Sequence, residues 1–158
     1  MKKYPRILVF VLFVVTVSFS LALTSCGGES DDSPVVVDTT PPSLSATSPA
    51  DGATNVVVTT AISITFNEVM APYTLTANTA DADCLGTLQL SSNNFISCVQ
   101  FSSNPVASNG NKTFAITPAS NLSVSTTYVI KVTHYVEDDS GNNLESTYSQ
   151  ATGFATQP

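Results

Sequence analysis

The stretch Tyr128-Val129-Ile130-Lys131-Val132-Thr133 determines the class of fold that the sequence predicts. Its first, third and fifth residues are apolar and fall on one face of an extended chain, while the other three fall on the opposite face. Apolar positions that recur with a period of two are typical of a β-strand with one buried face. The same alternation occurs in three shorter runs, Ile62 to Phe66, Leu88 to Leu90 and Phe114 to Ile116.

Clusters of turn-forming residues separate these runs. They lie at residues 48–52, 102–105, 108–111 and 138–143, and no window from residue 41 onward has a convincing helical period. About seven short strands at this spacing predict an all-β fold in which two antiparallel sheets pack as a sandwich. The length fits one domain, which we place at residues 41–158.

The first 25 residues have the layout of a secretory signal peptide. A basic start is followed by an apolar run from Ile7 to Leu23 and then by small residues. A membrane-spanning helix is the alternative, but the apolar run would reach only about 25 Å against a hydrocarbon core of about 30 Å. No basic stop-transfer cluster follows it.

At Leu23-Thr24-Ser25-Cys26 the sequence resembles the lipobox of bacterial lipoproteins. The resemblance implies that the thiol of Cys26 receives a diacylglyceryl group, that the signal peptide (1–25) is removed, and that fatty acids such as palmitate anchor the protein to a membrane. A free or disulfide-bonded Cys26 after ordinary cleavage is the alternative. Residues 26–40 are small and acidic, so we expect a flexible tether, and we expect the envelope location to be the outer membrane or cell surface.

The charge balance narrows the possible partners. The chain has 5 Lys and Arg against 12 Asp and Glu, and cleavage before Cys26 would leave only Lys112 and Lys131 as basic residues. Such an acidic surface repels phosphate backbones, so we expect no nucleic acid partner. The partners that remain are the membrane, through Cys26, and an envelope or extracellular protein.

Several segments in order resemble the bacterial Ig-like domains of S-layer and other cell-envelope proteins. These are residues 38–42, 48–56, 62–70, 138–144 and 154–156, together with Leu122 and Tyr128. The resemblance covers residues 39–157 and implies an Ig-like β-sandwich. The segment Asp81 to Phe101 departs from the family, because it carries two cysteines that most members lack.

Three residues have structural roles in this interpretation. Leu122 and Tyr128 resemble a tyrosine corner, in which a tyrosine at the start of a strand returns its hydroxyl to the backbone a few residues upstream. Gly141 can adopt positive φ in a tight turn. A calcium site at this turn is the alternative, because Asp138, Asp139 and Asn142 offer oxygen ligands, although the spacing of an EF-hand is missing.

Cys84 and Cys98 lie 14 positions apart around the Leu88 to Leu90 run. Export implies an oxidising compartment, so we predict a disulfide between them. Two buried reduced thiols are the alternative. Two cysteines and one distant histidine offer too few ligands for a structural zinc site, and we expect no cofactor.

The sequence predicts no enzyme. His134, the only histidine, continues the parity of the Tyr128 strand, which places it on the inward face. No Gly-x-Ser-x-Gly motif occurs, and the carboxylate pair Asp138-Asp139 is expected to be solvated.

The function predicted is therefore that of a non-enzymatic, lipid-anchored envelope protein, which serves as a spacer or as a protein-interaction or adhesion module. A carbohydrate-binding module is one alternative, with Tyr73, Tyr135 and Tyr148 as candidate contacts. An accessory or inhibitory subunit of an envelope enzyme is another. The segment Asp81 to Asn94 is the candidate contact region for a partner, because binding sites concentrate on loops.

Overall fold

The computed structural model describes residues 36–158, so the predicted signal peptide (1–25) and Cys26 lie outside the described residues. The tether prediction is covered only at its end, where residues 36–40 are exposed and have no regular secondary structure. The strands are β1 (Leu44–Ser48), β2 (Ile62–Phe66), β3 (Leu88–Ser91), β4 (Val106–Ser108), β5 (Thr113–Ile116), β6 (Thr127–Val132), β7 (Tyr148–Ser149) and β8 (Phe154–Ala155).

These strands form two antiparallel four-stranded sheets. The first sheet has the order β1-β2-β5-β4, and the second has the order β3-β6-β7, with β8 also paired to β6. The prediction of an all-β sandwich is therefore confirmed. A 3₁₀ turn at Pro72–Thr74 is the one helical element between residues 36 and 158. In that part of the chain no helix has the length and apolar character needed to cross a bilayer.

The core lies between the sheets and is built from the alternating residues. In β2 the first, third and fifth residues are buried, and in β6 the second, fourth and sixth. Burial of each large apolar side chain stabilises the fold by about 1.5–3 kcal/mol. Aromatic pairs connect strands within each sheet: Phe66 meets Phe114 edge-on at 6.1 Å, and Tyr128 stacks on Phe154 at 5.9 Å.

Strands β7 and β8 lie along β6 with a bulge between them. The carboxylate of Asp51, about 100 residues away, accepts the N–H groups of Ala151, Thr152 and Gly153 at 2.7–3.1 Å. These hydrogen bonds, that of Thr152 foremost, hold the pKa of Asp51 below its ordinary value. Gly153 has φ +73°, and a Cβ there would overlap the carbonyl of Tyr128, so the bulge requires glycine.

Gln150 joins the two sheets, from β6 at the centre of one to the edge strand β1 of the other. Its side-chain oxygen accepts the Ile130 N–H of β6 at 3.1 Å. Its Nε2 donates to Thr47 Oγ1 at 3.1 Å and to the Pro49 carbonyl at 2.9 Å, in and just after β1. The side chain is only 4% exposed, so the bonds form in a protected environment.

The prediction for His134 is wrong. The strand ends at Val132, and His134 lies in the turn that follows, where its side chain is exposed. Side chains alternate between the two faces only as far as the last paired residue of the strand, because the chain then changes direction. Its ring instead packs against Tyr135, with centroids 4.0 Å apart.

Candidate functional site

The predicted disulfide is present. The Sγ atoms of Cys84 and Cys98 are 2.07 Å apart, and their Cα atoms are 5.0 Å apart. The bond closes residues 84–98, which contain β3 and the turn after it, and we call this segment the stapled loop. The C-terminal end of the loop is also hydrogen-bonded to the chain that precedes the loop, because the Cys98 N–H donates to the Ala82 carbonyl at 2.7 Å.

Polar side chains fix the tip of the stapled loop. Ser91 Oγ donates to the Ser97 carbonyl at 2.7 Å and accepts the Phe95 N–H at 3.0 Å. Asn93 Oδ1 accepts the Ser97 N–H at 3.1 Å, while its Nδ2 donates to Ser97 Oγ at 2.8 Å. The turn is therefore held in one conformation by side chains as well as by the disulfide.

Phe95 adopts an unusual backbone conformation at this tip. Its φ is +61° and that of Asn94 is +59°. Asparagine tolerates the left-handed region, but a bulky aromatic residue rarely occupies it. The Phe95 ring lies over the Lys131 ammonium on β6, with Nζ 3.3 Å from the ring centroid. Desolvation there lowers the pKa of Lys131.

Two large apolar side chains of the stapled loop lie in solvent. Ile96 is 86% exposed and Leu85 is 62% exposed, so neither contributes to the core. Asp81 and Asp83, just before the loop, are also exposed. The backbone N–H of Asp83 and the side chain of Asn78 bond the Asp81 carboxylate and hold its pKa below its ordinary value.

The structure places Tyr128 and Leu122 at the crossover between the sheets. The Tyr128 hydroxyl accepts the Ser123 N–H at 3.0 Å, five residues upstream. Leu122 is buried, and its N–H donates to the Val58 carbonyl at 2.9 Å. Both residues therefore fix the fold locally.

The turn at residues 138–144, which we call the Asp138 turn, differs from its expected solvated state. Gly141 has φ +88°, and Asp138 is only 1% exposed. The Asp138 carboxylate accepts the N–H groups of Ser140 and Asn142 at 2.8 Å each, and the side-chain amide of Asn142 at 2.8 Å. The prediction that Asp138 is solvated is wrong, because these donors replace water around the carboxylate.

Two opposing effects act on this carboxyl. Desolvation raises the pKa of Asp138, but the hydrogen bonds from Asn142, Ser140 and Gly141 outweigh it and bring that pKa below its ordinary value of 3.8. Asp138 therefore stays ionised at neutral pH.

The carboxylates brought together here differ from the predicted calcium ligands. Oxygen atoms of Asp38, Glu68 and Asp138 lie within 4.8 Å of one another and could hold a hard cation. Asp139 is exposed and outside this group, and the Asn142 amide donates to Asp138 rather than offering its oxygen. Nothing in the sequence of the turn pointed to Glu68, which lies two residues after the end of β2.

An open groove of about 340 Å³ lies where the edge strands β1 and β7 approach each other, and we call it the edge groove. Its lining combines hydroxyl groups with Glu145 and the half-buried Tyr148. The other two tyrosines proposed as sugar contacts, Tyr73 and Tyr135, are exposed and do not line this groove.

Sequence reasoning missed Ile96 and the contact between Phe95 and Lys131. Ile96 lies outside the predicted contact segment Asp81 to Asn94, although it is the most exposed large apolar residue of the stapled loop. A signal did exist, because two consecutive apolar residues, Phe95 and Ile96, follow a polar turn and precede a cysteine.

Comparisons with known proteins agree with this architecture. Residues 38–156 match the bacterial Ig-like domain family. No curated protein matches the sequence. Among solved structures, the chain is similar to the S-layer protein SbsC, with a TM-score of 0.50 and 15% identity over 75% of this chain and 14% of that chain.

Two further SbsC structures give the same result. Domains 1–6 of SbsC have a TM-score of 0.51 and 14% identity over 75% of this chain and 14% of that one. The N-terminal part of the bacterial S-layer protein SbsC has a TM-score of 0.51 and 13% identity over 75% of this chain and 24% of that one. At such identities the similarity shows the fold alone, and the chain spans a small part of each neighbour.

Proposed function

The chain belongs to the bacterial Ig-like domain family, and from this membership we propose that it is a non-enzymatic protein of the bacterial cell envelope. In this proposal the Ig-like domain serves as a structural spacer or as a protein-interaction module. The family match over residues 38–156 is the observation that carries the proposal, because one module accounts for nearly all of the described chain.

The structural neighbours support an envelope role. SbsC is a surface-layer protein, and the similar region is a fraction of its length, so there the fold is one module of a longer chain. Bacterial Ig-like domains are generally not enzymes. The exposed His134 also has no carboxylate among its hydrogen-bond partners within residues 36–158, where only Thr147 contacts its ring nitrogen, at 3.5 Å.

Lipidation at Cys26 would attach the domain to a membrane. Eleven residues (27–37) lie between Cys26 and Asp38, where the family match begins, and a fully extended chain across these twelve peptide steps reaches about 40 Å. The domain could therefore stand clear of lipid headgroups while remaining confined to the surface. Two or three acyl chains hold a protein on a membrane far more durably than one.

The test combines palmitate labelling with protease treatment of intact cells, in wild type and in Cys26→Ala. We expect label in wild type only, and cleavage of the Ig-like domain by external protease if the domain faces outward. Label with a protected domain would place it in the periplasm and favour a spacer role. Absence of label in wild type would contradict the anchor.

A carbohydrate-binding role is the second candidate, and the edge groove is the observation that favours it. Sugars bind where hydroxyl or carboxylate groups adjoin an aromatic face, and Tyr148 lies among serine and threonine hydroxyls beside Glu145. The test is a glycan array probed with wild type and Tyr148→Ala, with Tyr73→Ala as the matched control. Binding lost only in Tyr148→Ala would support the role, and no binding by wild type would contradict it.

A further inference from the structure

The stapled loop carries features that the fold does not need. Ile96 and Leu85 point into solvent, and Ile96 follows a phenylalanine held at φ +61°. Left-handed backbone at a bulky residue is unfavourable, and such strain is concentrated at functional sites. The disulfide and the hydrogen bonds of Ser91 and Asn93 hold the strained tip in place.

We propose that the stapled loop is a docking site for a protein partner that offers an apolar pocket with a basic rim. Ile96 enters the pocket, Leu85 contacts its wall, and Asp81 and Asp83 pair with Lys or Arg side chains at the rim. The inference rests on the proposed interaction role of the Ig-like domain and names its contact surface and the chemistry of the partner.

Rigidity is the first argument for docking. A side chain that is already held in its binding conformation loses little entropy when a partner covers it. The tip is fixed by the disulfide at its base and by hydrogen bonds among Ser91, Asn93, Phe95 and Ser97. Binding residues are found disproportionately on loops that a rigid scaffold positions.

Charge is the second argument, and it selects the class of partner. The segment with Asp81 and Asp83 lies directly beside the loop, because the Ala82 carbonyl accepts the Cys98 N–H. Lys131 contacts the loop through the Phe95 ring, whereas the hydrogen bonds to the Asp81 carboxylate come from Asn78 and the Asp83 backbone rather than from a basic group. The loop therefore presents apolar groups next to exposed negative charge, which is complementary to a basic rim.

The same charges argue against two other occupants. Anionic headgroups would repel Asp81 and Asp83, so insertion of Ile96 into a membrane is disfavoured. A second copy of this chain would bring its own acidic surface to the contact, since the chain has 12 acidic against 5 basic residues.

The test is site-specific photo-crosslinking of the full-length protein in living cells. A photoreactive amino acid replaces Ile96 in one strain and Val106 in another. Val106 is the matched control, because it is 65% exposed and belongs to β4 in the other sheet. We expect a protein adduct from position 96 and none from position 106. We also expect the crosslinked partner peptide to be apolar and to have Lys or Arg within a few residues.

Charge variants make the result specific. Asp81→Asn with Asp83→Asn keeps the oxygen that accepts the Asp83 and Asn78 donors but removes both charges. The adduct yield at position 96 should fall about fivefold, while the protein remains folded at the growth temperature. A lipid adduct, an adduct with a second copy, no adduct, or a yield insensitive to these variants would overturn the proposal.

Failure of this inference is distinguishable from failure of the proposed function. Palmitate label that depends on Cys26, together with no adduct at position 96, leaves the envelope role intact and removes the stapled loop as its contact surface. No label in wild type removes the anchor independently of the crosslinking result.

Discussion

The stapled loop and the Asp138 turn are both irregular segments, but they are stabilised in opposite ways. The stapled loop is closed by a covalent bond and places apolar groups in water. The Asp138 turn is closed by one carboxylate and places a charge in the interior, 1% exposed. A crosslink acts mainly on the unfolded chain, whereas a buried carboxylate acts only in the folded state.

Of the changes that test this comparison, loss of the disulfide should lower the unfolding free energy most. Cys84→Ala with Cys98→Ala removes a crosslink that closes a loop of about 15 residues, which corresponds to about 3 kcal/mol of unfolding free energy in the chain-entropy model. Urea unfolding of both proteins at pH 7 measures it. If the unfolding free energy falls by less than about 1 kcal/mol, the hydrogen bonds at the tip hold the loop closed in the unfolded chain as well as in the folded protein.

Asp138→Ala should have the next largest effect. It leaves the N–H groups of Ser140 and Asn142 without their acceptor in a buried turn, at a cost of about 2 kcal/mol. Asp139→Ala is the matched control, since the side chain of Asp139 is exposed, and it should change the unfolding free energy by less than about 0.5 kcal/mol. Equal effects of the two variants would contradict a special role for Asp138.

Acid should weaken the Asp138 turn and not the stapled loop. The loss of unfolding free energy should be smaller than that caused by removal of the whole Asp138 side chain. The pKa of Asp138 is lowered in the folded state, so the unfolded chain binds its proton more readily, and this contribution to stability is present above the ordinary pKa of 3.8. It is lost as pH falls through 3.8 and then through the lower folded value. Asp138→Asn should therefore show a shallower decline in unfolding free energy between pH 5 and about 2 than Asp139→Asn. Parallel curves would contradict this assignment.

The contact between Lys131 and Phe95 should contribute less. Lys131→Met keeps the aliphatic stem and removes the ammonium. The lost cation–π contact is worth about 0.5–1 kcal/mol, but relief of the desolvation that lowers the Lys131 pKa opposes it, so the unfolding free energy should change by less than about 1 kcal/mol. Phe95→Leu, alone and in the Lys131→Met background, completes a double-mutant cycle. A coupling energy near zero would show that the ring only covers the lysine.

Ile96→Ser should have the smallest effect, with a change in unfolding free energy below about 0.5 kcal/mol, because the side chain is 86% exposed. Differential scanning calorimetry against Val106→Ser, also at an exposed position, measures it. A large loss in Ile96→Ser alone would mean that Ile96 supports the fold, and would remove the reason to seek a partner for it.

The sequence predicted the parts of this structure that depend on local periodicity. The buried residues of β2 and β6 follow directly from alternation, because each paired residue turns its side chain to the opposite face from the last. Gln89 breaks the pattern and is buried, because its Nε2 donates to the carbonyls of Cys84 and Gly86 inside the stapled loop. Those partners are backbone carbonyls, which a pattern of side chains does not show.

Contacts between distant parts of the chain left no local signal. Asp51 and Gln150 look like ordinary surface residues in sequence, yet Asp51 binds the bulge after β7 and Gln150 joins two sheets. The partners of Asp51, and those of Gln150 in and after β1, are about 100 residues away, and one sequence contains no pattern that pairs them. Ile96 was missed for a different reason, since exposure of an apolar residue depends on how the turn is held.

The Gln150 bridge also determines how the domain would carry a mechanical load. A pull on the N-terminal chain reaches β1 first, which is an edge strand paired only with β2. The stapled loop contains β3, which belongs to the other sheet, so force between the N-terminus and that loop must cross the sandwich. At the end of β1 the crossing is made by hydrogen bonds of one buried glutamine to Thr47, Pro49 and Ile130. Tension that separates the sheets would load these bonds in parallel with the packed core, so the two sheets resist it together.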